Sequence, residues 1–283
     1  MKEYIVTKEE ELLTFLKENV KGSKNNIKSL LSNELVSVND KTVTQYNYLL
    51  KINDKISIGA KKVSSFLGNI KIIYEDKDFL VVDKPSGMLT VATEEDKDSN
   101  NNLYYVLSKY VKRKSSSSKI YVVHRLDKDT SGVVLFTKNE KLKDLLQDNW
   151  NDIAKRTYYA VVYGKTKEKE VLKSYLKEDK NLMTYVSSDG KLAITEYERM
   201  KFNDKYSLLK IIIKTGRRNQ IRVQLKNINH PIAGDFKYGK KDKSVKRMML
   251  HAETLEIINP INKKILVFKS KIDSYFYRLV ENS

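Results

Sequence analysis

The sequence contains no cysteine and has little histidine, proline or tryptophan. Its 283 residues include three histidines, three prolines and one tryptophan. Without cysteine the chain has no disulfide, no thiolate metal ligand and no cysteine nucleophile, and this composition is typical of a cytoplasmic protein. His124, His230 and His251 are scattered, without the i, i+4 spacing that places two ligands on one helical face. We therefore expect no metal site.

Long apolar runs are also missing. The sequence has no run of about 18 apolar residues, the length that a transmembrane helix requires. Its start, MKEYIVTKEEELLTFLKENV, has acidic residues where a signal peptide has a basic and then an apolar segment. We expect a protein that is neither secreted nor bound to a membrane.

Positive charge, in contrast, is abundant. Lys and Arg number 54 against 36 Asp and Glu, which leaves a formal net charge of +18. Such an excess attracts polyanions and speeds their encounter, so nucleic acid is the leading candidate partner. A composition rich in Lys and Asn can also reflect coding bias, and the charge alone leaves a merely solvated lysine surface as an alternative.

The length of the chain favours two domains over one. Apolar residues at helical spacing predict two short helices near 12–20 and 27–31, followed by short strands up to residue 58. We interpret residues 1–62 as a small module of helices and strands. The segment GAKKVSSFLGN at 59–69 has the small, polar and basic composition of a linker. Residues 63–283 would then form the second domain.

The second domain mixes predicted strands with four predicted helices. The strands are expected at 70–73, 79–82, 120–123, 133–137, 157–163, 193–200, 206–213, 249–257 and 265–268, and the helices at 103–111, 141–150, 217–226 and 272–280. This order predicts an α+β fold with a mixed, mostly antiparallel central sheet flanked by helices and loops. Three polar segments without periodicity, at 93–102, 115–118 and 165–170, are interpreted as surface loops.

A polar block, HRLDKDTSG, lies between two apolar segments at 124–132. Asp127 has the chemistry of a nucleophile or a base, His124 could be its partner and Arg125 could bind a phosphate. Read on its own, such a block is more often a turn in which side chains such as those of Asp129, Thr130 and Ser131 cap backbone groups. A hydrolase that uses His124 and Asp127 is disfavoured because the sequence has no G-x-S-x-G motif for a serine nucleophile.

These nine residues resemble the signature of the RluA-type family of RNA pseudouridine synthases. Four further segments resemble family motifs in the required order, namely FLVVDKPSGML at 79–89, KRTYYAVVYG at 155–164, KTGRRNQIRVQL at 214–225 and HPIAGDFKYG at 230–239. The resemblance spans roughly residues 70–270. It implies the pseudouridine synthase fold and an isomerase that converts uridine in RNA to pseudouridine without a cofactor.

The resemblance also implies roles for individual residues. Asp127 would be the catalytic carboxylate, Tyr158 the active-site tyrosine and Arg222 the arginine that pairs with Asp127. The implied substrate-binding residues are His124, Arg125, Leu126, Arg217, Arg218, Gln220 and Leu225. Asn219 stands where the family commonly has histidine. Arg218 and Arg222 are four residues apart, and we expect them to share one face of a helix.

Residues 1–62 carry a separate resemblance, to the α-L RNA-binding module shared with a small-subunit ribosomal protein. It rests on SKNNIKSLLSNELVSVN at 23–39 and KINDKISI at 51–58. We expect a monomer that acts on RNA. The layout in two domains favours ribosomal RNA as the target, and tRNA, or both, is the alternative. A different function is a non-catalytic RNA-binding factor in ribosome or tRNA maturation. The presence of Asp127, Tyr158 and Arg222 argues against it.

Overall fold

The structure is a computed structural model that describes residues 2–32, 35–59, 67–92, 101–240 and 242–281. Two compact units are present, one of residues 1–69 with 105–120 and the other of residues 70–104 with 121–283. The predicted boundary near residue 62 and most of the predicted linker lie outside the described residues, as does the predicted loop at 93–102 up to residue 100. The boundary at residue 62 therefore stays a prediction.

The N-terminal part of the first unit, up to residue 58, contains two helices and short strands around a small apolar core. Its elements are β1 (Lys2–Ile5), β2 (Glu10–Glu11), α1 (Leu12–Asn19), α2 (Lys24–Ser32), β3 (Val36–Val38), β4 (Lys41–Thr42), β5 (Leu49–Leu50) and β6 (Lys55–Ile58). The strands pair in the order β1-β6-β3-β4, with β2 on β5. Leu12, Leu16 and Ile56 have no exposed surface, because the helical spacing of the leucines directs them to one side. Both predicted helices are thus confirmed.

The second unit is built on a large sheet, which has eleven strands among the described residues. They are β7 (Lys71–Glu75), β8 (Phe79–Lys84), β9 (Tyr121–Val122), β10 (Ser131–Thr137), β11 (Ala154–Tyr163), β12 (Lys169–Glu178), β13 (Thr184–Val186), β14 (Lys191–Phe202), β15 (Tyr206–Ile213), β16 (Leu250–Ile258) and β17 (Ile265–Lys269). The order is β13-β12-β14-β15-β11-β16-β10-β8-β7, with β17 on β16 and β9 on β10. The pairing of β10 with β16 is parallel and the other pairings described in this sheet are antiparallel. The predicted mixed, mostly antiparallel sheet is confirmed.

The remaining helices are α3 (Leu103–Lys114), α4 (Glu140–Asp148), α5 (Trp150–Ile153), α6 (Gln220–Asn227) and α7 (Ser274–Glu281). Helix α6 begins three residues later than predicted, because Asn219 at its N-terminus has a left-handed φ of 51°. Arg218 therefore precedes the helix, and the expectation that it shares a helix face with Arg222 is wrong. No helix in the described ranges is long and apolar enough to cross a membrane.

Strands β12 and β13 are absent from the sequence-based expectations. In β12 only Leu172 and Leu176 are buried, and the apolar residues occur as adjacent pairs, Val171-Leu172 and Tyr175-Leu176, instead of at every second position. This pattern hides the strand, because alternation is the main signal of a half-buried strand. The loop predicted at 165–170 is wrong at Lys169 and Glu170, which begin β12.

One apolar layer supports the centre of the sheet. Every residue of β10 is buried, and Leu142 and Leu146 of α4 belong to the same core cluster as Val133 and Leu135 of β10. Asn139 caps α4 by accepting a hydrogen bond from the Leu142 N–H. This packing fixes β10, the strand that directly follows the polar block, against the middle of the sheet.

Candidate active site

A cleft of about 360 Å³ lies where the polar block, β11 and α6 meet. This volume is within the range of pockets that bind small molecules. Eight of the ten predicted site residues line it, namely His124, Arg125, Leu126, Asp127, Tyr158, Arg217, Gln220 and Arg222. Three sequence segments that are far apart in the chain thus meet at one cleft.

The order of the strands explains why Asp127 and Tyr158 are neighbours. In the sheet β16 lies between β10 and β11, and Ala252 of β16 is opposite both Gly132 and Tyr158. Gly132 has a φ of +117°, and a Cβ atom there would lie 2.1 Å from the Ala252 carbonyl oxygen. Only glycine, which has no Cβ atom, allows the backbone at residue 132 to lie this close to Ala252. A register shift between Thr157 and Tyr158 adds a β-bulge, a feature that redirects side chains beside active sites.

The backbone around Asp127 is held by residues 84–90. The Thr90 hydroxyl donates to the Leu126 carbonyl (2.8 Å) and accepts from the Leu126 N–H (3.1 Å). The Gly87 N–H donates to the Lys128 carbonyl at 2.9 Å, and the Ser86 hydroxyl donates to the Asp129 carbonyl at 2.7 Å. These hydrogen bonds fix the backbone on both sides of Asp127, and none of them involves the Asp127 carboxylate.

Lys84 is a fully buried cation in the same segment. Its Nζ donates to the carbonyl oxygens of Pro85 (3.1 Å), Met88 (2.7 Å) and Lys128 (2.9 Å). Three acceptors match the three N–H donors of an ammonium group. Burial lowers the pKa of Lys84 to about 7, while the negative charges of Asp127 and Asp129 oppose that effect.

Arg222 contacts Asp127 across the cleft. Its Nη1 lies 3.2 Å from Asp127 Oδ2, and the two side chains are 8% and 29% exposed. Burial on its own would lower the pKa of Arg222, but hydrogen bonds and charges of Asp235 and Asp127 outweigh it and raise this pKa. Arg222 is therefore charged at all ordinary pH values, and its Nη1–H donates a hydrogen bond to the Asp127 carboxylate.

Asp235 is a second carboxylate on Arg222 and is not among the predicted site residues. Arg222 Nε and Nη2 donate to its two oxygens at 2.7 and 2.8 Å. Burial would raise the pKa of Asp235, but Arg222 lowers it overall. The signal in the sequence is a lone acidic residue within the apolar stretch IAGDF, since a buried charge requires a partner.

Asn219 also belongs to this network. Its Oδ1 accepts from Arg222 Nη1 at 2.9 Å and its Nδ2 donates to the Tyr238 hydroxyl at 3.0 Å. The same hydroxyl accepts from the Thr184 N–H at 3.0 Å. The side chain that stands in place of the family's common histidine thus gives Arg222 a neutral acceptor beside its two carboxylates.

Tyr158 lies in the wall of the cleft and is 9% exposed. Burial raises the pKa of Tyr158 to about 12, an effect that Arg156 opposes and Asp127 strengthens. The phenol is therefore protonated at neutral pH and its hydroxyl can donate a hydrogen bond. Its ring can stack on a base that enters the cleft.

His124 does not assist Asp127 in the way that the chemistry alone suggests. Its ring stacks on Trp150, with centroids 4.8 Å apart, and its Nε2 accepts a hydrogen bond from the Leu135 N–H at 3.1 Å. Burial, with a contribution from the charge of Arg156, lowers the pKa of His124 to about 3. The neutral ring supports the cleft wall, while Arg125 is exposed at its rim.

The other predicted substrate-binding residues differ in their access to the cleft. The Gln220 amide makes four hydrogen bonds within the protein, to Thr215, Arg217, Ile194 and Thr195. Arg217 lines the cleft, whereas Arg218 pairs with Glu178 at 3.2 Å and lines a neighbouring depression. Leu225 has no exposed surface and lies in the core. Arg217 can thus contact a bound nucleotide directly, whereas Leu225 cannot.

The other two histidines are held in the fold by hydrogen bonds. His230 Nδ1 lies 2.8 Å from the Tyr163 carbonyl oxygen, and His251 Nδ1 lies 2.8 Å from the Ser131 hydroxyl. Within the part of the chain that the structure describes, no group of three or more His, Asp or Glu side chains could hold a metal ion.

Known proteins match both the sequence and the fold. The model of the RNA pseudouridylate synthase family matches residues 78–227. The chain is 32% identical over 267 residues to the uncharacterized RNA pseudouridine synthase YhcT of Bacillus subtilis. This alignment covers 90% of this chain and 87% of that protein. The chain is 31% identical over 276 residues to ribosomal large subunit pseudouridine synthase C of Buchnera aphidicola, with coverage of 87% and 85%.

Among solved structures, human RNA pseudouridylate synthase domain containing 1 has a TM-score of 0.61 at 21% identity, over 76% of this chain and 88% of that one. Human RNA pseudouridylate synthase domain containing 4 has a TM-score of 0.60 at 20% identity, over 73% and 90%. These likenesses confirm the fold implied by the motifs. The family match and the two relatives establish that this chain belongs to the RNA pseudouridylate synthase family, whose members isomerise uridine in RNA.

Proposed function

We propose that this protein forms pseudouridine in large-subunit ribosomal RNA, with Asp127 as the catalytic carboxylate. The observation that carries the proposal is the contact of Asp127 with Arg222 at 3.2 Å in a cleft lined by Tyr158. Support for the ribosomal target comes from relatives in Buchnera, Rickettsia and Borreliella that are named ribosomal large subunit pseudouridine synthases C or D.

The reaction breaks the bond between N1 of uracil and C1′ of ribose and forms a bond between C5 and C1′. The base loses a proton from C5 and gains one at N1, so atoms and electrons balance without an oxidant or reductant. Asp127 can act by attacking C1′ or by removing a proton from the sugar. Both routes start from an ionised carboxylate, to which Arg222 offers a charged hydrogen-bond donor at 3.2 Å.

A uridine in folded RNA must leave its stack before it can enter the cleft. Tyr158 offers a ring on which the extruded base can stack, and its protonated hydroxyl can relay the C5 proton in the last step. Arg125, exposed at the rim, and Arg217 can hold the neighbouring phosphates. These roles divide the cleft into a reacting part and a binding part.

We extend the proposal to residues 1–62, which would bind the same RNA outside the cleft. Four lysines on or beside α1 and α2 support this role because all are exposed, namely Lys17, Lys21, Lys24 and Lys28. Exposed lysines contribute affinity that depends on salt but little sequence specificity. That the protein acts as a monomer in the cytoplasm stays a prediction.

The test is to incubate the protein with unmodified large-subunit ribosomal RNA and to map pseudouridine by position. Asp127→Ala should form none, whereas Asp129→Ala is the matched control and should retain activity, because Asp129 is an exposed aspartate of the same loop. If Asp127→Ala stays active, the assignment of the carboxylate is wrong. If the wild-type protein binds the RNA but modifies neither it nor tRNA, the chain acts as the non-catalytic binding factor.

Tyr158 is tested in the same assay. We expect Tyr158→Phe to keep RNA affinity, because the ring is retained, and to slow turnover by roughly 100-fold, the scale typical of a lost proton transfer. Tyr159→Phe, one residue later and partly exposed, is the matched control. Undiminished turnover of Tyr158→Phe would exclude a role of its hydroxyl.

A further inference from the structure

A depression of about 440 Å³ adjoins the active-site cleft where β12 ends and β14 begins. Gly216 and Arg217 line both the depression and the cleft. The volume of the depression is within the range of pockets that bind small molecules. An RNA strand that places a uridine in the cleft can therefore place a neighbouring nucleotide in the depression.

The sheet forms one wall of the depression. Strand β14 begins at Lys191, opposite Leu176 of β12, and β12 continues past this point to Glu178, where it pairs with β13. A Cβ atom at Gly190 would lie 2.5 Å from the Leu176 carbonyl carbon, so glycine allows the turn before β14 to pack closely on β12. Lys177 and Glu178, which extend past the start of β14, line the depression. Their backbone is thus fixed by the sheet.

The depression has an excess of positive charge. Four cationic and two acidic side chains line it, which leaves a net charge of +2, and they are Lys177, Lys191, Arg217, Arg218, Glu178 and Asp189. A phosphodiester backbone carries one negative charge per nucleotide and is attracted by such an excess. The charge therefore fits an RNA strand.

Two of the four cations are held by exposed carboxylates. Arg218 Nη1 lies 3.2 Å from Glu178 Oε2, and the two side chains are 36% and 43% exposed. Lys177 pairs in the same way with Asp189. Exposed ion pairs contribute little to stability because water screens them. A phosphate can therefore replace either carboxylate at small cost.

The other two cations, Lys191 and Arg217, pair with no carboxylate among the residues that the structure describes. Lys191 is exposed. Arg217 Nε donates to the Leu192 carbonyl at 3.0 Å, which fixes the side chain and leaves Nη1 and Nη2 without a bond to any described group. An arginine binds a phosphate best through a fork, meaning two parallel N–H bonds. Arg217 offers such donors where the depression meets the cleft.

We propose that the depression binds the backbone phosphate of a nucleotide next to the target uridine, with Lys191 and Arg218 as its contacts beyond Arg217. This inference rests on the proposed function. Arg218 joins the contact when the phosphate replaces Glu178. Phosphate contacts position a strand without reading its sequence. The depression would thus set the path of the RNA, while the cleft receives the uridine.

The first experiment measures the affinity of Lys191→Gln for unmodified large-subunit ribosomal RNA. We expect binding to weaken about 5-fold, the scale of one charge pair at about 4 Å in water. The slope of log Kd against log salt should fall by about 0.7, the value for one phosphate of a single strand. Lys173→Gln is the matched control, because Lys173 is an exposed lysine of β12 that lines neither space. Equal affinities of the two variants would overturn the proposal.

Glu178→Gln tests the exchange of a carboxylate for a phosphate, and the expected effect has the opposite sign. Removing this charge frees Arg218, so RNA binding should strengthen about 5-fold. Glu198→Gln is the matched control, since Glu198 forms an exposed pair with Lys169 at 3.0 Å outside the depression. Unchanged affinity of Glu178→Gln, or an equal gain in both variants, would show that Arg218 binds no phosphate there.

The position of the contacted phosphate can be found from the RNA side. The probe is a short RNA around a uridine that the protein modifies, in which one phosphate at a time is replaced by a neutral methylphosphonate. At the contacted phosphate, Lys191→Gln should weaken binding by less than about 2-fold, against about 5-fold at distant positions, because the two changes remove the same interaction. Additive losses at every phosphate within two nucleotides of the uridine would refute the contact.

The outcomes separate this inference from the proposed function. A protein that needs Lys191 for RNA affinity but forms no pseudouridine would refute the proposed function, and the depression would remain a phosphate site. A protein that forms pseudouridine and binds RNA equally well with Lys191→Gln would refute the depression alone.

Discussion

Lys84 and Arg222 are two of the buried cations near Asp127 among the described residues, and the regions that hold them differ in kind. Lys84 is surrounded by neutral carbonyl oxygens of Pro85, Met88 and Lys128, whereas Arg222 is bound to two carboxylates. Burial lowers the pKa of Lys84 to about 7, and the carboxylates raise the pKa of Arg222. One cation supports a backbone turn, and the other sets the charge of the site.

The difference follows from what each partner can do for a buried charge. Carbonyl dipoles satisfy the donors of Lys84 but leave most of the cost of removing its charge from water. Asp235 and Asp127 offset that cost for Arg222 by direct attraction. We therefore expect the Arg222 region to depend on charge balance and the Lys84 region to depend on hydrogen bonds.

The largest effect should come from Arg222→Met. It leaves Asp235, which is 1% exposed, as an unpaired buried carboxylate, and breaking a buried ion pair in this way costs about 3–5 kcal/mol. Urea unfolding should show this loss, and pseudouridine formation should cease. Adding Asp235→Asn removes the unpaired charge and should restore most of the stability but none of the activity. If the double variant is no more stable than Arg222→Met, charge balance is not what stabilises this region.

A smaller loss is expected for Lys84→Met. It removes the donor for three carbonyl oxygens but leaves no buried charge and relieves the cost of burying the ammonium group. We expect the free energy of unfolding to fall by about 2–3 kcal/mol, less than for Arg222→Met. Urea unfolding of both variants at the same pH makes the measurement. An equal or larger loss for Lys84→Met would contradict the proposed difference between the two regions.

Thr90→Val should have a smaller effect again. The hydroxyl donates to the Leu126 carbonyl and accepts from its N–H, so its loss leaves two backbone groups without this partner at a cost of about 1–2 kcal/mol. Turnover should slow as well, because the loop that carries Asp127 loosens. Thr90→Ser is the matched control, as it keeps the hydroxyl. If Val and Ser variants have equal stability and turnover, the hydrogen bonds of Thr90 do not hold this loop.

Most of the fold around these regions could be predicted from the sequence, because most strands and helices have a clear apolar periodicity. β10 and β8 each contain a continuous apolar run of four residues, VVLF and FLVV, and their strand character follows from sequence. The exceptions have local causes. β12 buries only every fourth residue, and the start of α6 is delayed by the left-handed Asn219. Neither feature shows in the spacing of apolar residues.

The candidate site was predictable where motifs carry it and hidden where distant segments meet. Asp127, Tyr158 and Arg222 stand in recognisable motifs and line one cleft. The fork between Arg222 and Asp235 joins residues 13 apart in the chain, and Thr90 contacts Leu126 across 36 residues. Such partners depend on tertiary folding, and the sequence indicates only that a buried charge must have some partner.

The smallest predicted effect is a pH dependence of stability that belongs to the Lys84 region. Lys84 has a pKa of about 7 in the fold against an ordinary value of 10.5, so between these values the unfolded chain binds more protons than the native protein. Stability should therefore rise with pH in this interval. From pH 6 to 7.5 the free energy of unfolding rises by at most about 1 kcal/mol, because Lys84 in the native protein is half deprotonated only near pH 7.

The measurement is the difference between wild-type and Lys84→Met unfolding free energies at several pH values, because contributions common to both proteins cancel. The difference should move in favour of the wild type as pH rises and stay flat below pH 6, where Lys84 is protonated in both states. Arg222→Lys serves as a contrast, because its partners are carboxylates that favour the charged form and it should show no such rise near neutral pH. If the difference in unfolding free energy between wild type and Lys84→Met does not change with pH, the three carbonyl hydrogen bonds keep the ammonium group charged. The Lys84 and Arg222 regions would then stabilise a buried charge equally well.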